Sequence, residues 1–169
     1  MEQQCVFLQK EILQMSRKKI LFVCHGNICR SPMAEFVMRS LVGKNGLSDE
    51  FEIASAAVSS EEEGNPVYPP VKRILNANGI DCHGKYAYKL QKKDYDYYDL
   101  LICMDKSNVN NLLRIIGTDY KNKIKLLMDY TDTPGDVADP WYSGNFDLTW
   151  NDINAGCRGL LKFLSDGSY

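Results

Sequence analysis

The sequence has 169 residues, 44% of them apolar, and a formal net charge of −2. This length and apolar content suit one domain with a sizeable core, and the sequence shows no internal repeat. The small negative charge argues against broad binding to nucleic acids or anionic membranes, and no apolar run is long enough to cross a bilayer.

The six cysteines are scattered singly apart from Cys24 and Cys29. Such spacing is typical of reactive or buried thiols in a reducing compartment and not of a secreted disulfide framework. The first 16 residues contain Glu2, Lys10 and Glu11 and lack the unbroken apolar core of a secretory signal. We therefore expect a cytoplasmic protein.

Residues 1–16 are predicted to form an N-terminal extension, followed by one domain over residues 17–169. The apolar residues of the extension that would share one helical face are Val6, Leu8, Ile12, Leu13 and Met15. A short capping helix or a frayed tail is the simpler interpretation, and a helix that binds a partner is the alternative.

The first clear pattern in the domain is strand, loop, helix. Lys19–Val23 has the length and branching of a buried strand, and Ser31 followed by Pro32 suits the first turn of a helix. The loop from Cys24 to Arg30 then lies at a helix N-terminus, where unpaired N–H groups and the helix dipole favour an anion such as phosphate. Arg30 adds two parallel hydrogen-bond donors for phosphate oxygens. The positive end of the helix dipole also favours the thiolate form of Cys24, which is the nucleophilic form.

Downstream of the loop, predicted strands and helices alternate. The later strands are Phe51–Ser55, Leu100–Met104 and Ile124–Met128. Four helices are predicted. The first begins at Ser31, the second contains Val71–Leu75, the third begins after an N-cap at Asp105, and the last carries the apolar stripe from Trp150 to Leu164. This alternation predicts a single-domain, three-layer α/β fold with a four-stranded parallel sheet, helices on both faces, and the anion-binding loop after the first strand.

The sequence CHGNICRSP at residues 24–32 resembles the signature of the low-molecular-weight protein tyrosine phosphatases, Cys-x5-Arg followed by Ser-Pro. A bare Cys-x5-Arg is a weak signal, but here the intervening residues, the strand before and the helix after agree as well. The resemblance implies an enzyme that hydrolyses phosphotyrosine and aryl phosphates through a phosphocysteine intermediate, without a metal or cofactor. Its partners would be phosphotyrosine proteins or peptides, with inorganic phosphate or vanadate as ligands.

The resemblance also implies roles for individual residues. Cys24 would be the nucleophile, Arg30 and the loop N–H groups would hold the phosphoryl oxygens, and Ser31 would help the sulfur to leave. Asn27 would hold the backbone of the loop through a hydrogen bond with Ser55, since Asn tolerates a left-handed conformation. The candidate substrate-binding residues are His25, Gly26, Asn27, Ile28, Cys29, Ser31, Trp141 and Tyr142.

Asp139 is the candidate general acid. The sequence Asp139-Pro140-Trp141-Tyr142 follows the last predicted strand and resembles the Asp-Pro-aromatic motif of the family. A carboxylic acid on a loop above the phosphate site can protonate the departing oxygen. Asp132 and Asp136 lie in the same loop but lack the Pro-aromatic sequel, so solvated turn residues are expected there.

Three other features bear on specificity and regulation. Cys29 is expected to capture an oxidised Cys24 as a disulfide, the alternative being a small buried residue. Ile28 stands where phosphoarginine-directed relatives carry a threonine, which favours tyrosine-type substrates. Glu61–Glu63 stand where mammalian-type members carry an aromatic residue, so peptides with basic flanks are expected to be preferred unless the run is simply a solvated loop.

Different functions compete with this interpretation. A zinc site formed by Cys24, His25, Cys29 and His83 lacks the second close pair of ligands that structural zinc usually has. A thiol-dependent arsenate reductase on the same scaffold would need a relay of cysteines, and Cys82 and Cys103 lack the short spacing of such a relay. The sequence also leaves open a phosphoarginine phosphatase and a catalytically silent anion-binding module.

Overall fold

The structure, a computed structural model, describes residues 4–6, 8 and 17–167. Within these residues four strands form one sheet: β1 Lys18–Cys24, β2 Phe51–Ala57, β3 Leu100–Cys103 and β4 Ile124–Leu126. All three strand pairs are parallel, and the order across the sheet is β2-β1-β3-β4. Because β1 is an inner strand, the loop that follows it opens at the carboxyl edge between the ends of β2 and β3.

Among residues 17–167 six helices accompany the sheet: α1 Arg30–Lys44, α2 Pro69–Ala77, α3 Lys92–Tyr97, α4 Lys106–Ile116, α5 Pro140–Ser143 and α6 Phe146–Ser165. Two short 3-10 turns, Ser48–Glu50 and Leu127–Tyr130, precede β2 and follow β4. The predicted three-layer α/β fold with a four-stranded parallel sheet is thereby confirmed.

The alternation of side chains along β1 places one apolar core on each face of the sheet. Ile20 and Phe22 lie in the core formed with α1, α2 and α6, whereas Leu21 and Val23 lie in the core formed with α3 and α4. All four side chains are buried, as a central parallel strand covered on both faces requires. The rigid strand thus fixes the position of Cys24 at its end.

Strand ends and two helices differ from the sequence-based predictions; one of these helices, α5, lies in what was predicted to be a loop around Asp139. The apolar run Ile124–Met128 was predicted to be one strand, but the strand ends at Leu126 and the chain enters the 3-10 turn. The reason is packing against α6, where Leu127 lies against Gly156. The third strand also ends one residue earlier than predicted, at Cys103. Helix α3 was not predicted because its sequence, KKDYDY, shows little apolar periodicity.

A close backbone contact joins α6 to the turn after β4. A Cβ atom added at Gly159 would lie 1.9 Å from the carbonyl oxygen of Tyr130. Only glycine permits the two backbones to approach this closely. The contact fixes the beginning of the long loop that leads from Tyr130 to α5.

The predicted N-terminal helical face lies largely outside the described residues. Of its members only Val6 and Leu8 are described, both in helical backbone and both exposed, while Ile12, Leu13 and Met15 are not. In the part of the chain that the structure describes, no helix has the length and apolar character needed to span a bilayer.

Candidate active site

The loop between β1 and α1 is held by the side chain of Asn27. Asn27 has φ 58°, the left-handed conformation predicted for it. Its amide donates to Ser31 Oγ at 2.8 Å and to Ser55 Oγ at 2.9 Å, and its carbonyl oxygen accepts from the Tyr88 N–H at 3.1 Å. The predicted hydrogen bond between Asn27 and Ser55 is therefore present, and three separate contacts keep the loop in one conformation.

The sulfur of Cys24 lies within this loop and receives polar contacts. Cys24 Sγ is 2.9 Å from Ser31 Oγ and accepts a hydrogen bond from the Asn27 N–H at 3.3 Å. The residue is only 3% exposed, yet its side chain lines the cavity described below. Hydrogen-bond donors around a sulfur stabilise negative charge on it, which suits a nucleophilic thiolate.

A buried polar network continues behind the loop. Ser55 Oγ donates to Glu35 Oε1 at 2.9 Å, and Glu35 is 2% exposed. Lys85 Nζ and Arg39 Nη2 lie 3.2 Å and 3.4 Å from its carboxylate oxygens. The charge of Glu35 is thus paired, as a buried carboxylate requires, and the network ties the loop to β2 and α1.

Arg30 is a buried cation held between two carboxylates. Its Nη1 donates to Asp105 Oδ2 at 2.7 Å and to the Val137 carbonyl at 3.3 Å, and its Nη2 donates to Asp139 Oδ2 at 3.1 Å. Burial by itself would lower the pKa of Arg30, but the negative charges of Cys24, Asp105 and Asp139 outweigh it and raise that pKa above its ordinary value. The guanidinium is therefore a fixed positive charge at the site.

The loop that carries Asp139 is anchored beside this cation. The Ala138 N–H donates to Asp152 Oδ2 at 3.1 Å, and Thr149 Oγ1 donates to the Ala138 carbonyl at 2.8 Å. Both partners belong to α6. Asp139 itself caps α5, with Oδ1 accepting from the Trp141 N–H at 3.0 Å. These contacts hold the carboxylate over the loop that contains Cys24.

A cavity of about 310 Å³ lies between the β1–α1 loop, the segment around Asp139 and the turn from β3 to α4. Its lining residues are Cys24, His25, Gly26, Ile28, Cys29, Arg30, Glu61, Glu62, Asp105, Ser107, Asn108, Asp139, Trp141 and Tyr142. The ring of Trp141 lies against Tyr68 with centroids 5.5 Å apart, and Tyr68 stacks on Phe146 at 6.1 Å. One side of the mouth is therefore aromatic, and Glu61 and Glu62 contribute carboxylates to the lining.

Most of the predicted site residues meet in this cavity. They are Cys24, His25, Gly26, Ile28, Cys29, Arg30, Asp139, Trp141 and Tyr142. Asn27 and Ser31, predicted among the substrate-binding residues, differ: neither lines the cavity, and with Ser55 they are buried beneath the loop, where their side chains support its backbone and the Cys24 sulfur. Asp132 and Asp136, the competing acids, are exposed and do not line it.

Asp105, Ser107 and Asn108 line the cavity but were not predicted as site residues. Asp105 was predicted only to cap α4, which it does: its Oδ1 accepts from the Asn108 N–H at 2.7 Å. Its other oxygen binds Arg30. The available signal was its position just after a buried strand, because ligands of parallel sheets bind at the carboxyl ends of strands.

Cys29 lines the same cavity but differs from Cys24 in its surroundings. Burial, together with the negative charges of Cys24 and Asp139, raises the pKa of the Cys29 thiol to about 12. Cys29 is therefore a protonated thiol at neutral pH.

Among the described residues, no group of three or more His, Cys, Asp or Glu side chains could hold a metal ion.

Comparison with known proteins agrees with this geometry. The family model described as "Low molecular weight phosphotyrosine protein phosphatase" matches residues 19–167. The chain belongs to this family. The phosphatase is 40% identical over 147 residues to the low molecular weight protein-tyrosine-phosphatase YfkJ of Bacillus subtilis, a match that covers 86% of this chain and 94% of YfkJ. It is 35% identical over 154 residues to the low molecular weight phosphotyrosine protein phosphatase of Mus musculus, covering 88% and 97% of the two chains.

Solved structures give the same result. The crystal structure of YfkJ matches the phosphatase with a TM-score of 0.87 and 37% identity, over 91% of this chain and 98% of the other. Vibrio vulnificus Wzb in complex with benzylphosphonate matches with a TM-score of 0.76 and 26% identity, over 86% and 98%. As a member of this family the phosphatase is a hydrolase of phosphoric monoesters, so the predicted family, fold and enzyme class are confirmed.

Proposed function

We propose that this phosphatase hydrolyses phosphotyrosine and aryl phosphate monoesters through a phosphocysteine intermediate on Cys24. The observation that carries the proposal is the convergence of three groups on one cavity: the Cys24 sulfur, the Arg30 guanidinium and the Asp139 carboxyl group. Together they supply a nucleophile, a cation for the phosphoryl oxygens and a proton donor.

In the first step the Cys24 thiolate attacks phosphorus, and the bond from phosphorus to the substrate oxygen breaks. Protonated Asp139 gives its proton to that oxygen, which leaves as an alcohol or phenol. Arg30 Nη2, which contacts Asp139 in the unliganded site, is the donor that would turn to a phosphoryl oxygen. The N–H groups of residues 25–30 face the other oxygens at the N-terminus of α1.

In the second step water attacks the phosphocysteine, and Asp139 accepts a proton from this water. The phosphorus–sulfur bond breaks and the electron pair returns to Cys24. The Ser31 hydroxyl, 2.9 Å from the sulfur, stabilises the departing thiolate by donating a hydrogen bond. Apart from the attacking water, both steps use only groups that the chain itself provides.

The walls of the cavity support an aryl substrate. Trp141, 59% exposed and backed by Tyr68, offers a face for a phenyl ring, and Ile28 adds apolar surface at the loop. A phosphoserine side chain is shorter and would gain nothing from this wall. The complex of the related Wzb with benzylphosphonate supports the same preference, because that ligand combines a benzyl group with a phosphonate.

The arsenate reductase alternative receives less support. The cysteines that would have to form its relay, Cys82 and Cys103, are both buried, and neither lines the cavity that contains Cys24. Burial also raises the pKa of both thiols, which makes them poor nucleophiles at neutral pH.

We also propose the domain limits and the compartment. The match of the family model to residues 19–167 supports a phosphatase domain over residues 17–169, with residues 1–16 as an extension. A nucleophilic thiolate works only while it stays reduced, and the six cysteines are unpaired. Both points support a reducing compartment such as the cytoplasm.

The test is a comparison of kcat/KM for peptides of one sequence that carry phosphotyrosine, phosphoserine or phosphoarginine. Phosphotyrosine is expected to be cleaved fastest, and mass spectrometry of acid-quenched enzyme should find a phosphoryl group on Cys24. Faster cleavage of phosphoserine or phosphoarginine, or a phosphoryl group on another residue, would overturn the proposal.

A further inference from the structure

The cavity mouth carries carboxylates that the proposed chemistry does not use. Glu61 and Glu62 line the cavity but take no part in either step. They belong to the segment that follows β2, and the aromatic residues Trp141 and Tyr142 belong to the segment around α5. An approaching substrate therefore meets aromatic rings and acidic groups at one entrance.

Glu62 is held in place rather than free in solvent. Its Oε2 accepts a hydrogen bond from Asn65 Nδ2 at 2.6 Å. Its Cγ lies 3.2 Å from the position that a Cβ atom on Gly26 would occupy. The Glu62 side chain therefore lies against the loop between β1 and α1. A carboxylate fixed this close to the loop acts on every ligand that enters.

Glu61 pairs with the rim residue His25. His25 Nε2 and Glu61 Oε2 are 3.2 Å apart, and both side chains are more than half exposed. A contact this exposed is weak and is easily exchanged for an ion pair with a cation. Glu61 is therefore available to a basic group of a bound peptide.

Carboxylates outnumber cations around the cavity. The carboxylates are Glu61, Glu62, Asp105 and Asp139, whereas the basic side chains are Arg30 and His25. Arg30 already binds Asp105 and Asp139. A dianionic phosphoryl group therefore enters past excess negative charge at Glu61 and Glu62, and a positive charge beside it on the substrate reduces that repulsion.

We infer that Glu61 and Glu62 select phosphotyrosine substrates with a lysine or arginine close to the phosphotyrosine on one flank. The inference rests on the proposed function, since it concerns what the same cavity accepts. Trp141 and Tyr142 carry no negative charge, so a basic residue that lies against them gains no ion pair. The preference is electrostatic, so it weakens as salt screens the two carboxylates.

The experiment uses four phosphotyrosine peptides of one sequence, with lysine or glutamate placed next to the phosphotyrosine on either the amino or the carboxyl side. The wild-type ratio of kcat/KM for lysine over glutamate is expected to be about two- to fivefold at one flank, the range of an exposed ion pair. In the double variant Glu61→Gln/Glu62→Gln, and at high salt, the ratio should fall towards one.

The matched control is Glu63→Gln, which removes an exposed charge from the same turn without touching the cavity. It should keep the wild-type ratio. Equal rates for the lysine and glutamate peptides at both flanks, or a ratio that survives in the double variant, would overturn the inference. Absence of hydrolysis of any phosphotyrosine peptide would instead overturn the proposed function, so the two failures are distinguishable.

Discussion

Arg30, at the start of α1, and Asp105, just after β3, form an ion pair in which Arg30 Nη1 lies 2.7 Å from Asp105 Oδ2. The two residues are 75 positions apart and are joined because β1 and β3 are neighbours. The pair orients the guanidinium that we propose binds the phosphoryl group. Asp105 is therefore expected to act as a positioning residue, affecting the substrate through Arg30.

Replacing Asp105 with Asn tests this role, because Asn keeps the cap of α4 but loses the charge that holds Arg30. We expect kcat/KM for aryl phosphates to fall about tenfold to a hundredfold through misplacement of the guanidinium, with weaker inhibition by inorganic phosphate. The control is Asp136→Asn: that carboxylate accepts from the Lys106 N–H but lies outside the cavity. Unchanged phosphate inhibition in Asp105→Asn would rule out the positioning role.

Cys24→Ser is expected to abolish hydrolysis of aryl phosphates, because a serine hydroxyl in this loop is a far weaker nucleophile than a thiolate. Binding of phosphate or vanadate should survive in part, since Arg30 and the loop N–H groups remain. Calorimetric titration checks binding. Activity of the parent enzyme should also persist in the presence of a chelator, and substantial turnover by the serine variant would exclude the thiolate mechanism.

Asp139→Asn should slow substrates with poor leaving groups by about 10²- to 10⁴-fold, the usual contribution of a general acid. Aryl phosphates whose leaving group needs little protonation should be affected much less. The amide of Asn still accepts the hydrogen bond from the Trp141 N–H, so α5 should remain capped. The control is Asp132→Asn, which changes an exposed carboxylate in the same loop. If Asp139→Asn slows both kinds of substrate equally, Asp139 has a positioning role instead.

Cys29 is expected to protect Cys24 under oxidation by forming a disulfide with its sulfenic acid. Because the pKa of Cys29 is raised to about 12, only a small fraction is thiolate at neutral pH, and that fraction rises about tenfold per pH unit. Disulfide formation after peroxide treatment should therefore accelerate with rising pH. If Cys29→Ala recovers its activity with added thiol as fully as the parent does, Cys29 has no protective role.

Gly159→Ala should destabilise the phosphatase by roughly 1–3 kcal/mol, because the added methyl group collides with the Tyr130 carbonyl and the backbones must separate. Urea unfolding measures the change. Gly43→Ala, in α1, is the matched control: its Cβ would come no nearer than 3.6 Å to the Ser48 hydroxyl. Alanine also suits a helix better than glycine, so this variant should be as stable as the parent or more so.

The parts of the site that lie within one continuous motif were predictable. The spacing from Cys24 to Arg30 and the turn into α1 place the nucleophile and the cation together locally, and Asn27 carries its own conformational preference. Asp139 was predicted as the acid from its Pro-aromatic neighbours, and the structure places it at the same cavity as Cys24. In each case a short segment of sequence contained the signal.

The part that Asp105 plays in the site, and the position of Glu62 against Gly26, could not be predicted in the same way. Asp105 meets Arg30 only because the strand order is β2-β1-β3-β4, and strand order is not encoded in any local pattern. Glu62 lies against Gly26 because the turn between β2 and α2 brings it there, where Asn65 donates a hydrogen bond to it. Likewise the end of β4 was misplaced because the apolar run Ile124–Met128 suits both a strand and a buried 3-10 turn.

The long loop before Asp139 is fixed by α6 at both of its ends, at Tyr130 through Gly159 and at Ala138 through Thr149 and Asp152. Its middle, residues 133–135, has no comparable attachment to the described part of α6 and lies towards solvent. Extra residues inserted there would lengthen the loop at a cost of only about 0.6 kcal/mol per doubling. The segment therefore offers a place to insert a tag or a reporter peptide, with Asp139 still held by the anchors on its own side.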